Sequence, residues 1–497
     1  MPSVAADTQR ATTTIMKIAI AYTPIDSPKG VPLLSQNRQF QWFNRPTFIY
    51  PVVPAYAATM AKAAGHEVLW LDGIAERWSE EQFLERVVAE RPALILLETK
   101  TPVVKATWHW VARLRAALPA MRIVLAGDHV TALPAESMEH CAADFLLTGG
   151  DYDFLLLNLL RHLGAGAPLE PGVWYRDAGG KVRNSGPFAT RHDLGSLPRI
   201  DRDLTRWRNY SVHNGNYRRT PGAYIMAGRD CWHGKCTFCS WTTLFPNYRV
   251  RTPESVVDEI GELIERYGVR EIMDDTGCFP AGDWLRAFCR LMIARGYHQR
   301  IYFDCNMRFG ALTPEDYRLM KSAGFRFVLF GLESANQTTL DRLDKQLKVE
   351  AIRDGARAAA AAGLDVHVTV MIGFPWEDAD DIARTVALAR ELLIRGWAYT
   401  LQVTLAIPYP GTPLFRQCDA QDLLTTRDWD DFDMRQAVMR TPVGDAAIRA
   451  AIRRIYRAFF HPRALWNRLL NTRHPLEDMK FYSRGLLSLL GHLRDFS

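Results

Sequence analysis

The stretch "GRDCWHGKCTFCSW", residues 228–241, holds Cys231, Cys236 and Cys239 with four and then two residues between them. Three chemistries compete for such a triplet. Structural zinc takes four ligands, with a second pair some distance along the chain. Cys278, Cys289 and Cys305 fall on what read as a helix and two strands, so none makes a second knuckle. His233 could be a fourth ligand, but it lies inside the Cys231–Cys236 loop. A redox disulfide wants two cysteines, not three. A [4Fe–4S] cluster normally takes four thiolates; three leave one iron open. An open coordination position is where a substrate or cofactor binds, as it is on catalytic zinc. Phe238 adds an aromatic plane beside the third cysteine, and Trp232 and Trp241 flank the loop.

The elements that must carry this loop read as a β/α series. From residue 223 onward, "AYIMAG" (223–228), "EIMDDT" (271–276), "IYFDCN" (301–306), "FVLFGLE" (327–333), "VHVTVMIGF" (366–374) and "TLQVTLAI" (400–407) are candidate strands. Helical patterns lie between them, at 253–267, 314–323, 349–362 and 378–395. Six such units imply a partial or complete β/α barrel with its site at the strand C-terminal ends. The cysteine loop follows the first strand, on that rim.

Residues 17–163 also alternate. Strands are expected at 17–22, 66–72, 93–99, 122–128 and 144–150, with helices at 53–65, 79–90, 103–117 and 151–163. This is the pattern of a doubly wound parallel sheet, which binds ligands at strand carboxyl ends. Those ends carry "TPIDS", "ETKTP", "GDHVT" and "TGGDYD". No G-x-G-x-x-G follows the first strand, so a dinucleotide is weakly supported. Residues 164–222 read as a connector with a Gly-Gly hairpin signal. The whole is an α/β chain: a disordered tail (1–16), a Rossmann-like sheet (17–163), the connector (164–222), a partial (β/α)6 barrel (223–415) and a helical C-terminal region (416–497).

On these residues the cysteine loop resembles that of radical S-adenosylmethionine (SAM) enzymes, whose usual spacing is three then two residues. The resemblance covers roughly residues 220–415. It implies that "MDDTG" (273–277), through Asp275 and Thr276, holds the SAM amino group. "GLES" (331–334) would place Glu333 and Ser334 near the ribose or carboxylate. "VMIGFPWE" (370–377) would pack Ile372 near adenine, Arg308 would reach the carboxylate, and Phe238 would lie beside the cluster. "IPYPGTPL" (407–414) resembles the end of the family's sixth strand. Asp274 and Asp275 are adjacent in a strand, so only one faces the site.

The first domain, ahead of such a barrel, resembles the cobalamin-binding domain of the anaerobic magnesium-protoporphyrin cyclase and C- or P-methylase group. Thr99, Thr101, Gly127, His129, Thr131, Gly149 and Gly150 are the cobalamin contacts this implies. Many cobalamin proteins supply an axial histidine from D-x-H-x-x-G. Here "DGIAER" (72–77) has Ile74 and Arg77 in those places. The resemblance implies a [4Fe–4S] cluster, SAM and cobalamin as cofactors, and an external electron donor such as flavodoxin or ferredoxin. It implies methylation of an unactivated carbon or a phosphinate phosphorus of a small molecule. Methyl would pass through cobalamin, and a second SAM would make the radical. Cyclisation or rearrangement without methyl transfer is the alternative within the family; a metal-cluster-containing binding protein is the alternative outside it. No acid–base catalyst is marked by the sequence.

Bulk properties fit this reading. The 497 residues carry 61 basic and 55 acidic side chains, a balance that is not a nucleic-acid footprint. No run approaches the length of a membrane span. There is no apolar secretory segment, and eight cysteines in so long a chain make no disulfide framework. A cytoplasmic enzyme is expected.

Overall fold

The computed structural model describes residues 14–33, 40–43 and 45–470. Most of the expected tail, and residues 471–497 of the expected C-terminal region, lie outside them.

The first sheet begins with β1 (Lys17–Tyr22). A short antiparallel pair, β2 (Val31–Pro32) and β3 (Trp42–Phe43), follows. Then come β4 (Glu67–Asp72), β5 (Leu94–Thr99), β6 (Arg122–Gly127) and β7 (Phe145–Leu147). The order is β4-β1-β5-β6-β7, all parallel. The apolar run of β5 sits in the middle, as a strand buried on both faces does. Helices Val52–Ala63 and Tyr152–Ala165 cover one face, packing with Ile18, Ile20, Leu94 and Leu96. Helices Glu80–Glu90 and Val104–Ala117 cover the other through Phe83, Val87, Trp110 and Val111. The chain reverses its direction of winding between β1 and β5, which is where sheets of this order open a binding crevice.

The hairpin expected in the connector forms as β8 (Val173–Arg176) and β9 (Val182–Asn184). It is not free: β8 pairs antiparallel with β7, so the connector's first third completes the sheet edge. Val173 is fully buried there, which is the apolar contact that draws the hairpin in.

The second sheet is β10 (Gly222–Ile225), β13 (Glu271–Asp274), β14 (Tyr302–Met307), β15 (Phe325–Glu333), β16 (Asp365–Ile372) and β17 (Thr400–Leu405). Neighbours in sequence are neighbours in space, all parallel. No ladder joins β10 to β17 among the described residues, so this is a partial barrel. The expected first strand is shorter than its apolar run. After Ile225 the chain leaves the barrel, and β11 (Gly228–Arg229) pairs with β12 (Arg249–Val250) as a small antiparallel ribbon. At the N-terminal end of the barrel, Arg326 meets Glu271 at 2.6 Å, Asp304 at 2.9 Å and Asp365 at 3.3 Å. One cation thus ties four neighbouring strands.

The C-terminal region does two things. Helix Asp445–Tyr456 packs its Ile448, Ile452 and Ile455 inward, and Val403 N–H of the edge strand β17 donates to Tyr456 Oη at 3.1 Å. Residues 426–435 cross back to the first domain. Lys29 binds Asp433 at 2.6 Å, Lys105 binds Asp428 and Asp430 at 2.9 Å, and Trp429 Nε1 donates to Glu136 at 2.9 Å. No helix among the described residues is long and apolar enough to cross a membrane.

Candidate cofactor cleft

The β11–β12 ribbon closes the cysteine loop at its base, and the barrel's second strand fixes its start. Asp274 accepts from Ala227 N–H at 2.8 Å and from Thr276 N–H at 2.9 Å. Thr276 Oγ1 accepts from Gly228 N–H at 2.9 Å. Asp274 is fully buried, and burial lifts its carboxyl to about 6. Of the adjacent aspartates, Asp274 is therefore taken up in shaping the loop. Asp275, the expected SAM contact, is buried beside it; the expected contact Thr276 has its hydroxyl engaged in the loop.

A second segment grips the loop from the other side. Thr237 N–H donates to Leu343 O at 3.0 Å, and His233 Nε2 donates to Asp344 O at 2.8 Å. Leu414 N–H donates to Thr237 O at 2.9 Å, bringing in the start of helix Pro413–Ala420. His233 thus shapes the longer first spacing of the loop. Arg308, expected at the SAM carboxylate, instead donates to the carbonyls of Lys345 and, at 2.9 Å, Gln346. Its guanidinium lies 5.7 Å from the Trp232 ring centroid.

None of the three cysteines is in a disulfide, and all three are half-buried. Burial pushes the Cys236 thiol up to about 11, and the nearby Lys345 ammonium pulls it back. Lys345 is buried, pairs with Glu333 at 2.6 Å and lies 5.9 Å from the Phe238 ring centroid. A positive charge in low dielectric beside thiols favours their thiolate form, the one that binds iron. Among the described residues no three His, Cys, Asp or Glu side chains converge as ligands of one ion. Thiolates of a cubane bind separate irons and need no such convergence. The donor set thus fits a cluster. Cys278, expected on a regular element and set aside as a second knuckle, lies in a loop whose backbone bridges that of Cys231.

Glu333 and Ser334 are both buried and already partnered. Ser334 Oγ donates to Glu377 at 3.0 Å. Glu377 also accepts from Thr339 Oγ1 at 3.3 Å and from the N–H groups of Gly373 and Phe374 at 3.3 and 3.4 Å. It therefore joins the "GLES" and "GFPWE" segments. Ile372, fully buried, ends β16 beside them.

On the first domain, Thr99, Gly127, Thr131, Gly149 and Gly150 come together at one rim. Thr131 Oγ1 donates to Gly127 O at 2.6 Å and accepts from Gly149 N–H at 3.0 Å. Gly127 has φ +122°, and a Cβ there would stand 2.0 Å from Thr99 O. A Cβ on Gly150 would stand 2.0 Å from the Phe245 ring. Thr99 Oγ1 bonds Thr107 at 2.8 Å, so its hydroxyl points into its own domain. His129 is fully buried and held on both nitrogens, by Thr101 at 3.2 Å and Glu136 at 3.2 Å. Its ring packs edge-on against Trp108 and Trp429. The structure thus gives His129 and Thr101 the work of joining helices to the returning C-terminal segment.

Between the two halves lies a cleft. Glu98, Lys100, Asp128, Gly150 and Tyr152 line it from the first sheet; Ser240, Trp241, Leu244 and Phe245 line it from just beyond Cys239. Asp128 Oδ1 is buried there with no hydrogen-bond partner among the described residues. Burial pushes the Glu98 carboxyl up to about 7, opposed by hydrogen bonding from Tyr22. This crevice lies past the carboxyl ends of β5, β6 and β7, with a spare buried acceptor and aromatic walls of the mixed polar and apolar kind that cobalamin would meet. Its free space of about 10 Å³ holds no more than a water, so the two halves would have to part to admit a large ligand.

Sequence reasoning missed Lys345, Glu377 as a partner of Ser334, and a buried cluster formed by Arg229, Asp151 and Asp153. Glu377, Arg229, Asp151 and Asp153 stood in quoted stretches and Lys345 did not. Arg229 meets its carboxylates across 78 and 76 residues, which leaves no local pattern, and Lys345 carries no motif of its own.

Comparison with known proteins matches residues 225–389 to the Radical SAM superfamily and residues 44–152 to the B12 binding domain. An uncharacterized methyltransferase of Pyrococcus horikoshii is 26% identical over 84% of this chain and 89% of its own. The anaerobic magnesium-protoporphyrin IX monomethyl ester cyclase of Cereibacter sphaeroides is 24% identical over 88% of this chain and 71% of its own. Among solved structures, the radical SAM methyltransferase TsrM of Kitasatospora setae, with cobalamin and a [4Fe-4S] cluster bound, superposes with a TM-score of 0.67. It is 16% identical, covering 90% of this chain and 89% of that one. The cobalamin-dependent radical enzyme OxsB gives 0.70 at 13% identity, over 96% and 71% of the two chains.

Proposed function

With a B12 binding domain and a radical SAM domain in one chain, the protein is a cobalamin-dependent radical SAM enzyme, and we propose that it methylates an unactivated carbon, or a phosphinate phosphorus, of a small molecule. When bound, the cluster, SAM and cobalamin supply an electron, a carbon radical and a transferable methyl group. The chain's own residues bind and orient them. Cys231, Cys236 and Cys239 would hold three irons, with Lys345 offsetting their negative charge. Asp275, Glu333 and Ser334 would face SAM, their loops held in place by Asp274, Lys345 and Glu377. The rim of Gly127, Thr131, Gly149 and Gly150 would receive cobalamin. An external one-electron donor such as flavodoxin or ferredoxin would reduce the cluster.

The observation that carries this reading is the shared cleft. Its lining alternates between the first sheet's strand ends and the segment just past Cys239, so a methyl carrier and a radical source would stand together. Cyclisation is the second reading, because the magnesium-protoporphyrin cyclase of Cereibacter sphaeroides aligns with 88% of this chain. Anaerobic turnover with methyl-labelled SAM and small-molecule extracts separates the two. Methylation consumes two SAM molecules and yields S-adenosylhomocysteine and 5′-deoxyadenosine together with labelled product. A cyclase yields 5′-deoxyadenosine alone, and that outcome would replace the proposal.

A further inference from the structure

Arg229 stands two residues before Cys231 and is 1% exposed. Its guanidinium reaches out of the barrel into the first domain. It binds Asp153 through both terminal nitrogens, at 2.9 and 2.5 Å, and Asp151 at 3.0 Å. Both carboxylates directly follow the Gly149–Gly150 turn of the expected cobalamin rim. Arg249, the ladder partner of Arg229 on β12, binds the same Asp151 at 2.6 and 2.8 Å. His192 binds Asp151 at 3.0 Å and Glu170 at 2.9 Å. The turn is gripped beyond the loop as well: Gly150 N–H donates to Leu244 O at 2.9 Å, five residues past Cys239.

Both strands of the ribbon that carries the cysteine loop are thus anchored to one carboxylate of the opposite domain. Burying charges is a poor way to gain stability, since apolar packing would hold the two halves as well. What a forked, bidentate Arg–carboxylate contact adds is direction and register. We infer that Arg229 is a positioning residue: with Asp151 and Asp153 it sets how the cysteine loop faces the Gly149–Asp153 turn, and hence the spacing of cluster and cobalamin. The inference rests on the proposed placement of both cofactors.

The test is the double variant Arg229→Met/Asp153→Leu, which removes both charges and leaves Asp151 with Arg249 and His192. Iron, sulfide and cobalamin contents are measured first. Electron paramagnetic resonance then reads the spin interaction between Co(II) and the reduced cluster in the same sample. Expected are wild-type cofactor contents, an altered spin interaction, and methyl transfer lowered about 100-fold, as a displacement of roughly 1 Å can cause, while SAM cleavage persists. Arg229→Lys, which keeps the charge and loses the fork, should fall between. An unaltered spin interaction with an unaltered ratio of methylated product to 5′-deoxyadenosine overturns the inference. Loss of the cluster itself also overturns it, because the cation would then maintain the loop and not its placement. A double variant that does not fold is replaced by Arg229→Lys under the same criteria. Wild-type protein that takes up no cobalamin removes the functional proposal, and the inference with it; wild type with both cofactors and an unchanged variant removes the inference alone.

Discussion

Burial pushes the Cys236 thiol up, yet it has Lys345 and Arg308 for neighbours. That setting holds a thiolate only while iron is bound to it. Alanine at Cys231, Cys236 or Cys239 should abolish SAM cleavage and lower iron and sulfide together, whereas Cys278→Ala should keep both. The reverse pattern would move the ligand set to the Cys231–Cys278 bridge, and stoichiometric zinc without sulfide would favour a binding protein. At the other cofactor, Ile74 packs against the Phe40, Trp42 and Val103 cluster, and His129 has no nitrogen to spare. Neither position should therefore supply an imidazole to bound cobalamin: electron paramagnetic resonance of the Co(II) form should be the same for ¹⁵N-histidine-labelled protein as for unlabelled protein. Glu98 gives a pH dependence. Its folded pKa, about 7, lies above its ordinary 4.5, so its stabilising effect is complete below about 4.5 and lost as pH rises to about 7. Glu98→Gln should flatten that fall in apo-protein, by about 2 kcal/mol at pH 8 once solvent in the cleft is allowed for; denaturant titrations across the window measure it. The thiol triplet was legible in sequence because iron ligation restricts residue type and spacing. Lys345 was not, since an ion pair to Glu333 requires only charge and proximity.

At the scale of elements, the strands of both sheets could be read from apolar runs bounded by turns, and their ends shifted by only a few residues. The larger departure was β10, where "AYIMAG" is apolar throughout but the chain turns out after Ile225. Composition cannot show that Ala227 N–H would find Asp274 and not a strand neighbour. The base of the barrel makes a testable case. Arg326 is 2% exposed and faces Glu271 and Asp304, both fully buried. Burial drives the Asp304 carboxyl well above its ordinary range, with Arg326 opposing that shift. Arg326→Met leaves those acids without their cation and should cost about 3–5 kcal/mol. Denaturation should show the loss, and Asp304→Asn in the same background should recover part of it.

At the scale of the whole molecule, the returning segment 426–435 ties the C-terminal region to the first domain. Trp429 is 8% exposed, touches His129, Phe415 and Phe432, and donates to Glu136. Trp429→Ala should cost about 3–5 kcal/mol and open residues 421–445 to limited proteolysis, with the barrel staying resistant. This arrangement was not legible beforehand, because the segment's composition is ordinary and its partners are hundreds of residues away. The ion pair between Lys29 and Asp433 spans 404 residues. Translation at about 5–20 residues per second leaves Lys29 waiting roughly 20–80 seconds for its partner to emerge from the ribosome. For the later part of that interval, once β9 has emerged, the first sheet is complete while its rim is still uncovered by the strap. Synthesis should therefore leave the rim open to the corrinoid until residues 426–435 arrive.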